Sequence, residues 1–356
     1  MNHSMLDLYT DYLISSFGPT TATGLSRLLD GKVSHDQVTR FLSAPPKTSA
    51  DLWRVVKPMI RQVESPDGLL IFDDSIEEKP YTDENELICW HWDHSQERHV
   101  KGINFLTAFY TTETVSLPVA FDLVTKTELY SDAKTGKQKR RSTLTKNARY
   151  RMLLQLCVHN QIKFRYVLND SWYASADNMN FIHSDMKKEF VMPLKANRKV
   201  ALSEEDLHAG RYVTVSSLDL PEGEPRLICL EEVNFSLLLA KQVFINEDGS
   251  RGTLYLVTSD LTLTYDQITA LYQKRFRVEG YHKSLKQNAS LEKSPTRTET
   301  TQQNHFFASV CAYVKLERLK LKQGVNHFAL KSKIYLSALK SAYAELVKLK
   351  PQSLTA

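Results

Sequence analysis

Four residues near the end of the chain have types and spacing suited to chemistry on phosphate groups. They are Tyr272, Arg275, Glu279 and Lys286, in the stretch LYQKRFRVEGYHKSLKQ. On one continuous helix all four side chains would fall within a sector of about 60°. An acid set among an aromatic and two cations is what a metal-binding carboxylate beside bound phosphates needs. The alternative is a surface pair between Arg275 and Glu279 at i, i+4, which is common on helices.

The spacing Y-x2-R-x3-E-x6-K resembles the signature of a large group of DDE transposases from bacterial insertion sequences, with which this chain shares features over most of its length. The resemblance implies a ribonuclease-H-like core and two upstream aspartates, each at the end of a hydrophobic strand. Asp73 ends the apolar strand predicted in GLLIFDD, a segment whose two final acids are Asp73 and Asp74, and Asp170 ends FRYVLND. With Glu279 they form the implied catalytic triad. Strand alternation points Asp73 and Asp74 to opposite sides, so only one should reach the site; we take Asp73, with Asp74 as its rival.

The three carboxylates imply a metal cofactor. Acids brought this close repel one another, which raises their pKa values unless a cation relieves the repulsion. Mg²⁺ prefers oxygen ligands and binds a few carboxylates together with substrate phosphate. Two Mg²⁺ ions held by Asp73, Asp170 and Glu279 would activate water or a 3′-hydroxyl for in-line attack, and we expect Mn²⁺ to substitute. The segment Trp90–His94, with His99 nearby, matches no familiar zinc spacing and is expected to be a strand or a DNA-facing surface.

Several basic side chains are candidate DNA contacts. The resemblance implies that Tyr272, Arg275 and Lys286 contact phosphates at a transposon end, and Lys283 lies close enough on the same helical wheel to join them. A separate block, residues 133–152, carries eight Lys or Arg and no acid. We expect polyanion contact there, with a solvated, mobile segment as the alternative. The candidate contacts in this block are Lys139, Arg140 and Arg141.

The chain departs from the resembled group in its tryptophans. Trp172 stands two places after Asp170, where many members have a small residue, and no tryptophan follows it. In some relatives an insertion-domain tryptophan stacks on a flipped base. Either a Tyr or Phe such as Phe235 or Phe244 serves in this chain, or the step differs.

The N-terminal residues predict a helix-turn-helix. Ser34 can cap the helix HDQVTRFLSA, whose apolar side chains leave Gln37 and Arg40 for the major groove. Any small helical hairpin is the alternative. The predicted fold is α/β, with a ribonuclease-H-like core interrupted by an all-β insertion and flanked by helical regions. We divide the chain into an N-terminal helical DNA-binding domain (1–64), the first part of the core (65–196), the insertion (197–258), the end of the core (259–296) and C-terminal helices (297–356).

Composition limits the cellular setting. The 356 residues carry a net charge of +5, and the four cysteines include no C-x-x-C pair. No apolar run approaches 18 residues, and the start of the chain does not resemble a secretory signal. These features predict a cytoplasmic protein with no membrane contact, and the resemblance implies a bacterial protein that acts on chromosomal or plasmid DNA.

The expected function is that of a DNA transposase. Its partners would be the double-stranded inverted repeats at the element's ends, target DNA, and a second copy of the chain in an end-bridging homodimer. It would cleave the ends through a hairpin and join their 3′-hydroxyls to target DNA. The alternatives are a metal-dependent nuclease or resolvase without strand transfer, and an inert DNA-binding descendant of a transposase.

Overall fold

The computed structural model describes residues 4–94, 96–246 and 248–349, and a mixed sheet forms the centre of this described part. The strands are β1 (Leu69–Glu78), β2 (Cys89–Asp93), β3 (Arg98–Thr111), β4 (Ser116–Leu123), β5 (Glu128–Ser131), β6 (Gln138–Arg141), β7 (Tyr166–Leu168), β8 (Glu189–Leu194), β9 (Lys199–Val200), β10 (Val213–Thr214), β11 (Arg226–Ile228), β12 (Leu237–Ile245) and β13 (Arg251–Thr258). The α-helices are α1 (Met5–Ser15), α2 (Ala22–Leu28), α3 (His35–Leu42), α4 (Ser49–Val63), α5 (Lys146–His159), α6 (Ala176–Asn180), α7 (Glu204–His208), α8 (Tyr265–Gln273), α9 (Arg277–Gln287), α10 (Glu299–Gln323) and α11 (His327–Leu349).

The central sheet combines antiparallel and parallel pairs. Its order is β11-β12-β13-β8-β7-β1-β3-β2, and β4 lies beside β3. Strand β1 is antiparallel to β3 and parallel to β7, which in turn is parallel to β8. This mixed α/β arrangement is consistent with the expected ribonuclease-H-like core. The apolar start of β1, residues 69–72, is buried because helices cover both faces of the sheet.

Aromatic contacts attach a helix layer to each face. On one face Tyr150 of α5 packs on Phe72 of β1, with ring centroids 4.4 Å apart. On the other, Phe306 of α10 packs on Phe105 of β3 and Phe121 of β4, at 4.9 and 5.1 Å. Neighbouring residues of β1 therefore face different helices.

The N-terminal helices share the core of the sheet region. The Tyr9 hydroxyl lies 3.0 Å from His305 Nδ1 of α10. The side-chain amide of Asn304 donates hydrogen bonds to the carbonyls of Leu42 and Ala44, at 2.9 and 2.7 Å. Ser34 caps α3 through a reciprocal capping box with Gln37. The sequence predicted these helices, and in the structure they pack on α10 and the central sheet region.

Residues 197–258 differ from the predicted all-β insertion in two respects. Strand β13 pairs with β8, so β11, β12 and β13 extend the central sheet. The segment also contains the helix α7, so it is not all-β. Ser203 accepts a hydrogen bond from the Asp206 backbone, and three acids occupy the first turn of α7, where the helix dipole favours them.

The signature segment differs from the single helix that the wheel assumed. A 3₁₀ turn at Lys274–Phe276 separates α8 from α9, and Arg275 lies in that turn. The angles that a single helical wheel assigns to Tyr272 relative to Glu279 and Lys286 therefore differ from those in the structure. The predicted C-terminal helices are α10 and α11, and residues 350–356 lie outside the described part of the chain. No helix of the described residues is long and apolar enough to span a lipid bilayer.

Candidate active site

Asp73 and Asp170 occupy matching levels on neighbouring parallel strands. The last residues that pair between β1 and β7 are Ile71 and Leu168, and each aspartate comes two residues later. The prediction that Asp73 ends its strand is wrong, because β1 continues to Glu78 in its pairing with β3. The carboxyl ends of parallel strands commonly present functional side chains. Both aspartates line a cleft of about 480 Å³. The other side chains used below that line this cleft are Asp74, Trp92, His94, Lys146, Trp172, Lys195 and Lys286.

Asp73 faces α9 in a poorly solvated position. Its side chain is 14% exposed, with Arg275 Nη2 3.9 Å from Oδ1 and His282 Nδ1 3.9 Å from Oδ2. Burial raises the pKa of Asp73 to about 7, and the charges of Asp170 and Asp74 add to this while Arg275 opposes it. Burial lowers the pKa of His282 to about 3, so this imidazole is neutral. Asp73 therefore has a high affinity for a proton or another cation.

Asp74 faces α5 and is fully hydrogen-bonded. Its Oδ2 accepts from Lys146 Nζ at 2.7 Å and from Asn104 Nδ2 at 2.9 Å, while Oδ1 accepts from the Tyr173 hydroxyl at 2.8 Å. Burial acts to raise the pKa of Asp74, but Lys146 and these hydrogen bonds hold it below its usual range. The rival of Asp73 thus has its oxygens occupied by protein donors.

Asp170 and Glu279 complete the predicted triad but differ in exposure. Asp170 Oδ1 accepts a hydrogen bond from the Trp172 backbone at 3.0 Å. Burial raises the pKa of Asp170, against the charge of Arg275. Glu279 is 58% exposed, and its Oε1 lies 3.3 Å from Arg275 Nη1.

Arg275 lies among all three acids. Burial would lower the pKa of its guanidinium, but nearby groups, led by Asp73, raise it. The other contributors are Tyr272, Asp170 and Glu279. Tyr272 is itself buried, which raises its pKa to about 12. Three of the four signature residues are thus brought together with both aspartates.

The donor chemistry suits Mg²⁺, but the three acids are not gathered into a binding site. Within residues 4–94, 96–246 and 248–349, no group of three or more His, Cys, Asp or Glu side chains is arranged to hold a metal ion. Carboxylate oxygens are the ligands that this cation prefers. The Arg275 cation balances the charge of the acids in this arrangement, and its buried Nε has no hydrogen-bond partner.

The two lysines of the signature segment point to different places. Lys286 lines the cleft, and its Nζ lies 3.3 Å from Glu292 Oε1. Lys283 instead lies 5.5 Å from the ring centroid of Phe328 in α11, and it does not line the cleft. Lys283 and Lys286 lie three residues apart within α9, about 60° apart around the helix, so the two side chains reach different surroundings.

The remaining predicted DNA contacts lie outside the cleft. The basic block contains the β5–β6 hairpin, where Lys139 pairs with Asp132 at 2.5 Å and Arg141 with Glu128 at 2.7 Å. Arg140 donates a hydrogen bond of 3.4 Å to the Lys126 carbonyl. On α3, Arg40 is exposed, whereas Gln37 Oε1 accepts from the Ser34 backbone at 2.8 Å.

Three residues around Asp74 could not be identified from the sequence. Lys146, Asn104 and Tyr173 surround Asp74, yet nothing in their spacing connects them. Lys146 could have been selected only as the first residue of a helix capped by Thr145 within the basic block. His91, one of the histidines weighed for zinc, is buried, with its Nε2 3.3 Å from Cys89 Sγ.

A comparison with protein families decides the broader identity. Residues 2–214 match the model of a family described as DDE superfamily endonuclease, which is more than half of the chain. The chain belongs to the DDE superfamily endonucleases. The matched region of this DDE endonuclease includes Asp73 and Asp170, and Glu279 lies beyond it.

Other comparisons add little to the family assignment. The solved Drosophila P element transposase strand transfer complex aligns at 9% identity with 99% of this DDE endonuclease and 88% of that chain, at a TM-score of 0.29. Such a low score carries no argument about shared structure or function. No curated protein sequence matches the chain significantly.

Proposed function

We propose that this DDE endonuclease is a transposase that cleaves the terminal inverted repeats of its own insertion sequence and joins the 3′-hydroxyl ends to target DNA. The proposal rests on one observation. Arg275 of the signature lies 3.9 Å from Asp73 and 3.3 Å from Glu279, and the charge of Asp170 also raises its pKa. About a hundred residues separate Asp73 from Asp170, and about as many separate Asp170 from Glu279.

The proposed roles follow from charge and exposure. Asp73, Asp170 and Glu279 would hold two Mg²⁺ ions, which when bound supply an activated water or 3′-hydroxyl and stabilise the leaving oxygen. Glu279 is exposed enough to turn towards the two aspartates once Arg275 releases it. Arg275 would then bind phosphate bidentately. Lys286, which lines the cleft of Asp73 and Asp170, would be a second phosphate contact.

End recognition and assembly are further parts of the proposal. The exposed Arg40 of α3 would contact the inverted repeat, with Gln37 beside it, and the basic β5–β6 hairpin would contact flanking phosphates. Two copies of the chain would bridge the two ends. Because the N-terminal helices share the core of the sheet, substitution of Arg40 tests recognition more cleanly than deletion of residues 1–62, which would expose buried surface.

The test is direct. The full chain is incubated with Mg²⁺, a labelled duplex carrying the inverted repeats that flank its own coding region, and a target plasmid. We expect end-specific nicks, hairpin ends and joined products on a denaturing gel, and none of them from Asp170→Asn. Nicks without joining would assign the protein as a nuclease. End binding without any cleavage would assign it as an inert DNA-binding protein, and both results contradict the transposase proposal.

A further inference from the structure

A cluster of exposed aromatic side chains lies at the mouth of the catalytic cleft. Trp172 is 47% exposed, and its ring centroid lies 4.9 Å from that of His94. Trp92 lies 6.3 Å from His94 and 5.0 Å from His99. Large aromatic side chains usually bury most of their surface, so a group left open beside charged residues indicates a binding surface.

The position of Trp172 is tied to a catalytic acid. Its backbone N–H donates to Asp170 Oδ1, and Lys146 Nζ lies 5.9 Å from its ring centroid. Lys146 is in turn bound to Asp74. The indole is thus held at a defined distance from the proposed site of cleavage while nearly half of it remains open to solvent.

A second cleft begins where the first one ends. It measures about 620 Å³, and it shares Ser171, Trp172 and Lys195 with the catalytic cleft. Two more cations, Arg198 and Lys199, line it beyond β8, and Glu231 and Glu232 line it as well. The path from Asp170 across Trp172 to Lys195, Arg198 and Lys199 combines an aromatic platform with a row of cations. Proteins that bind single-stranded nucleic acid combine these two features.

We propose that Trp172, backed by His94, stacks on an unpaired base at the mouth of the catalytic cleft, and that the second cleft binds the phosphates of the same strand. This assignment rests on the proposed function for its biological setting. It gives the stacking role to a residue of the β7–α6 loop instead of Phe235 or Phe244. Phe235 packs against His183 at 4.2 Å, and Phe244 lines neither cleft.

The test uses strand binding without cleavage. Binding of the full chain to a labelled 12-nucleotide thymidine strand is compared with binding to an abasic strand of the same length, by fluorescence anisotropy in EDTA. We expect the wild-type protein to prefer the thymidine strand by about tenfold, since stacking on an aromatic platform stabilises each bound base. Trp172→Ala should abolish this preference, and Trp172→Phe should retain most of it.

Trp90 is the matched control. It is 50% exposed on the neighbouring strand β2 and lines neither cleft, so Trp90→Ala should bind both strands as the wild type does. The double change Lys195→Gln, Lys199→Gln should weaken binding of both strands equally and lower the slope of log affinity against log salt by about 1.4. No preference for bases in the wild type, or a preference that survives Trp172→Ala, would overturn the proposal. The binding assay needs no cleavage, so its outcome does not depend on whether the protein is a transposase. A failure of the stacking proposal can therefore be distinguished from a failure of the transposase proposal.

Discussion

Asp73 and Asp74 are consecutive on β1 and lie in opposite environments. Asp74 binds three protein donors on the α5 side of the sheet, from Lys146, Asn104 and Tyr173. Asp73, on the α9 side, has the Arg275 guanidinium and a neutral imidazole at 3.9 Å each, and a backbone hydrogen bond from Asp74 lowers its pKa only slightly. The Asp74 carboxylate connects β1 to β3, α5 and the loop after β7. The Asp73 carboxylate has no such set of donors among the described residues, and its raised pKa reflects a high affinity for a cation.

We propose that this difference separates a structural acid, Asp74, from a functional one, Asp73. Buried carboxylates that serve structure have partners for their oxygens, whereas a buried acid with a raised pKa and few partners indicates a functional site. Both acids line the same cleft, so their position does not distinguish them. They are distinguished by the helix that each one faces, which is α9 for Asp73 and α5 for Asp74.

The largest expected effect is on stability. Asp74→Ala should lower the free energy of unfolding by about 3–5 kcal/mol, because it leaves the Lys146 cation without its partner in a partly buried site. Asp73→Ala should leave stability unchanged or raise it, since it removes a poorly solvated acid. Urea unfolding of both variants near pH 8 measures this. Equal losses for the two variants would remove the distinction between the acids.

A second expectation concerns pH. The folded protein holds a proton on Asp73 up to about pH 7, because burial raises the pKa of this carboxyl group. In the unfolded chain the same group loses its proton near the ordinary aspartate pKa of 3.8. The contribution to stability is therefore fully present below about pH 4 and is lost as pH rises through about 7. Asp73→Asn should gain stability relative to the wild type across this interval, by no more than about 4 kcal/mol.

The measurement is the difference in unfolding free energy between wild type and Asp73→Asn at several pH values. Taking the difference cancels groups with the opposite trend, such as His305, whose buried imidazole has its pKa lowered to about 4. A difference that stays constant from pH 4 to 8 would contradict the environment described for Asp73.

A smaller effect is expected for the cation beside Asp73. Arg275→Ala should weaken binding to cleaved transposon ends several-fold and lower the salt dependence by about one phosphate contact, a slope change near 0.9. Lys163→Gln is a suitable control, since this exposed lysine precedes β7 at the opposite end of the sheet. If the two variants showed the same salt dependence of DNA binding, Arg275 would contribute only to the overall positive charge, and the proposed phosphate contact would be contradicted.

Arg277 is unsuitable as that control. The sequence places it on the far side of the wheel from Arg275, but its Nη1 donates to Thr111 Oγ1 at 2.9 Å and to the Thr112 carbonyl at 2.5 Å. Its loss would disturb the β3–β4 turn.

Local patterns predicted most of the elements. Ser34 predicted the start of α3, and the apolar runs ending in Asp73 and Asp170 predicted the first half of β1 and all of β7. Such signals lie within a few residues of the element they specify, so the sequence alone contains them.

Features that depend on distant parts of the chain were not predicted. The 3₁₀ turn at Lys274–Phe276 lies in a stretch, residues 265–279, that contains no Gly or Pro, so no local residue signals a break in the helix. Pairing of β13 with β8 joins segments about sixty residues apart, and no residue pattern specifies that register. The partners of Asp74 come from β3, α5 and the loop after β7, which only the folded chain brings together.

The central claim is that Asp73, and not Asp74, works with Asp170 and Glu279 in cleavage. The most direct measurement is the rate of end cleavage in Mg²⁺ by Asp73→Asn and Asp74→Asn, both assayed at a temperature where circular dichroism shows them folded. We expect Asp73→Asn to lose at least about a thousandfold in rate. Asp74→Asn should lose about 10- to 100-fold, as residues that orient functional groups typically do. Cleavage at the wild-type rate by Asp73→Asn, with none by folded Asp74→Asn, would contradict the account.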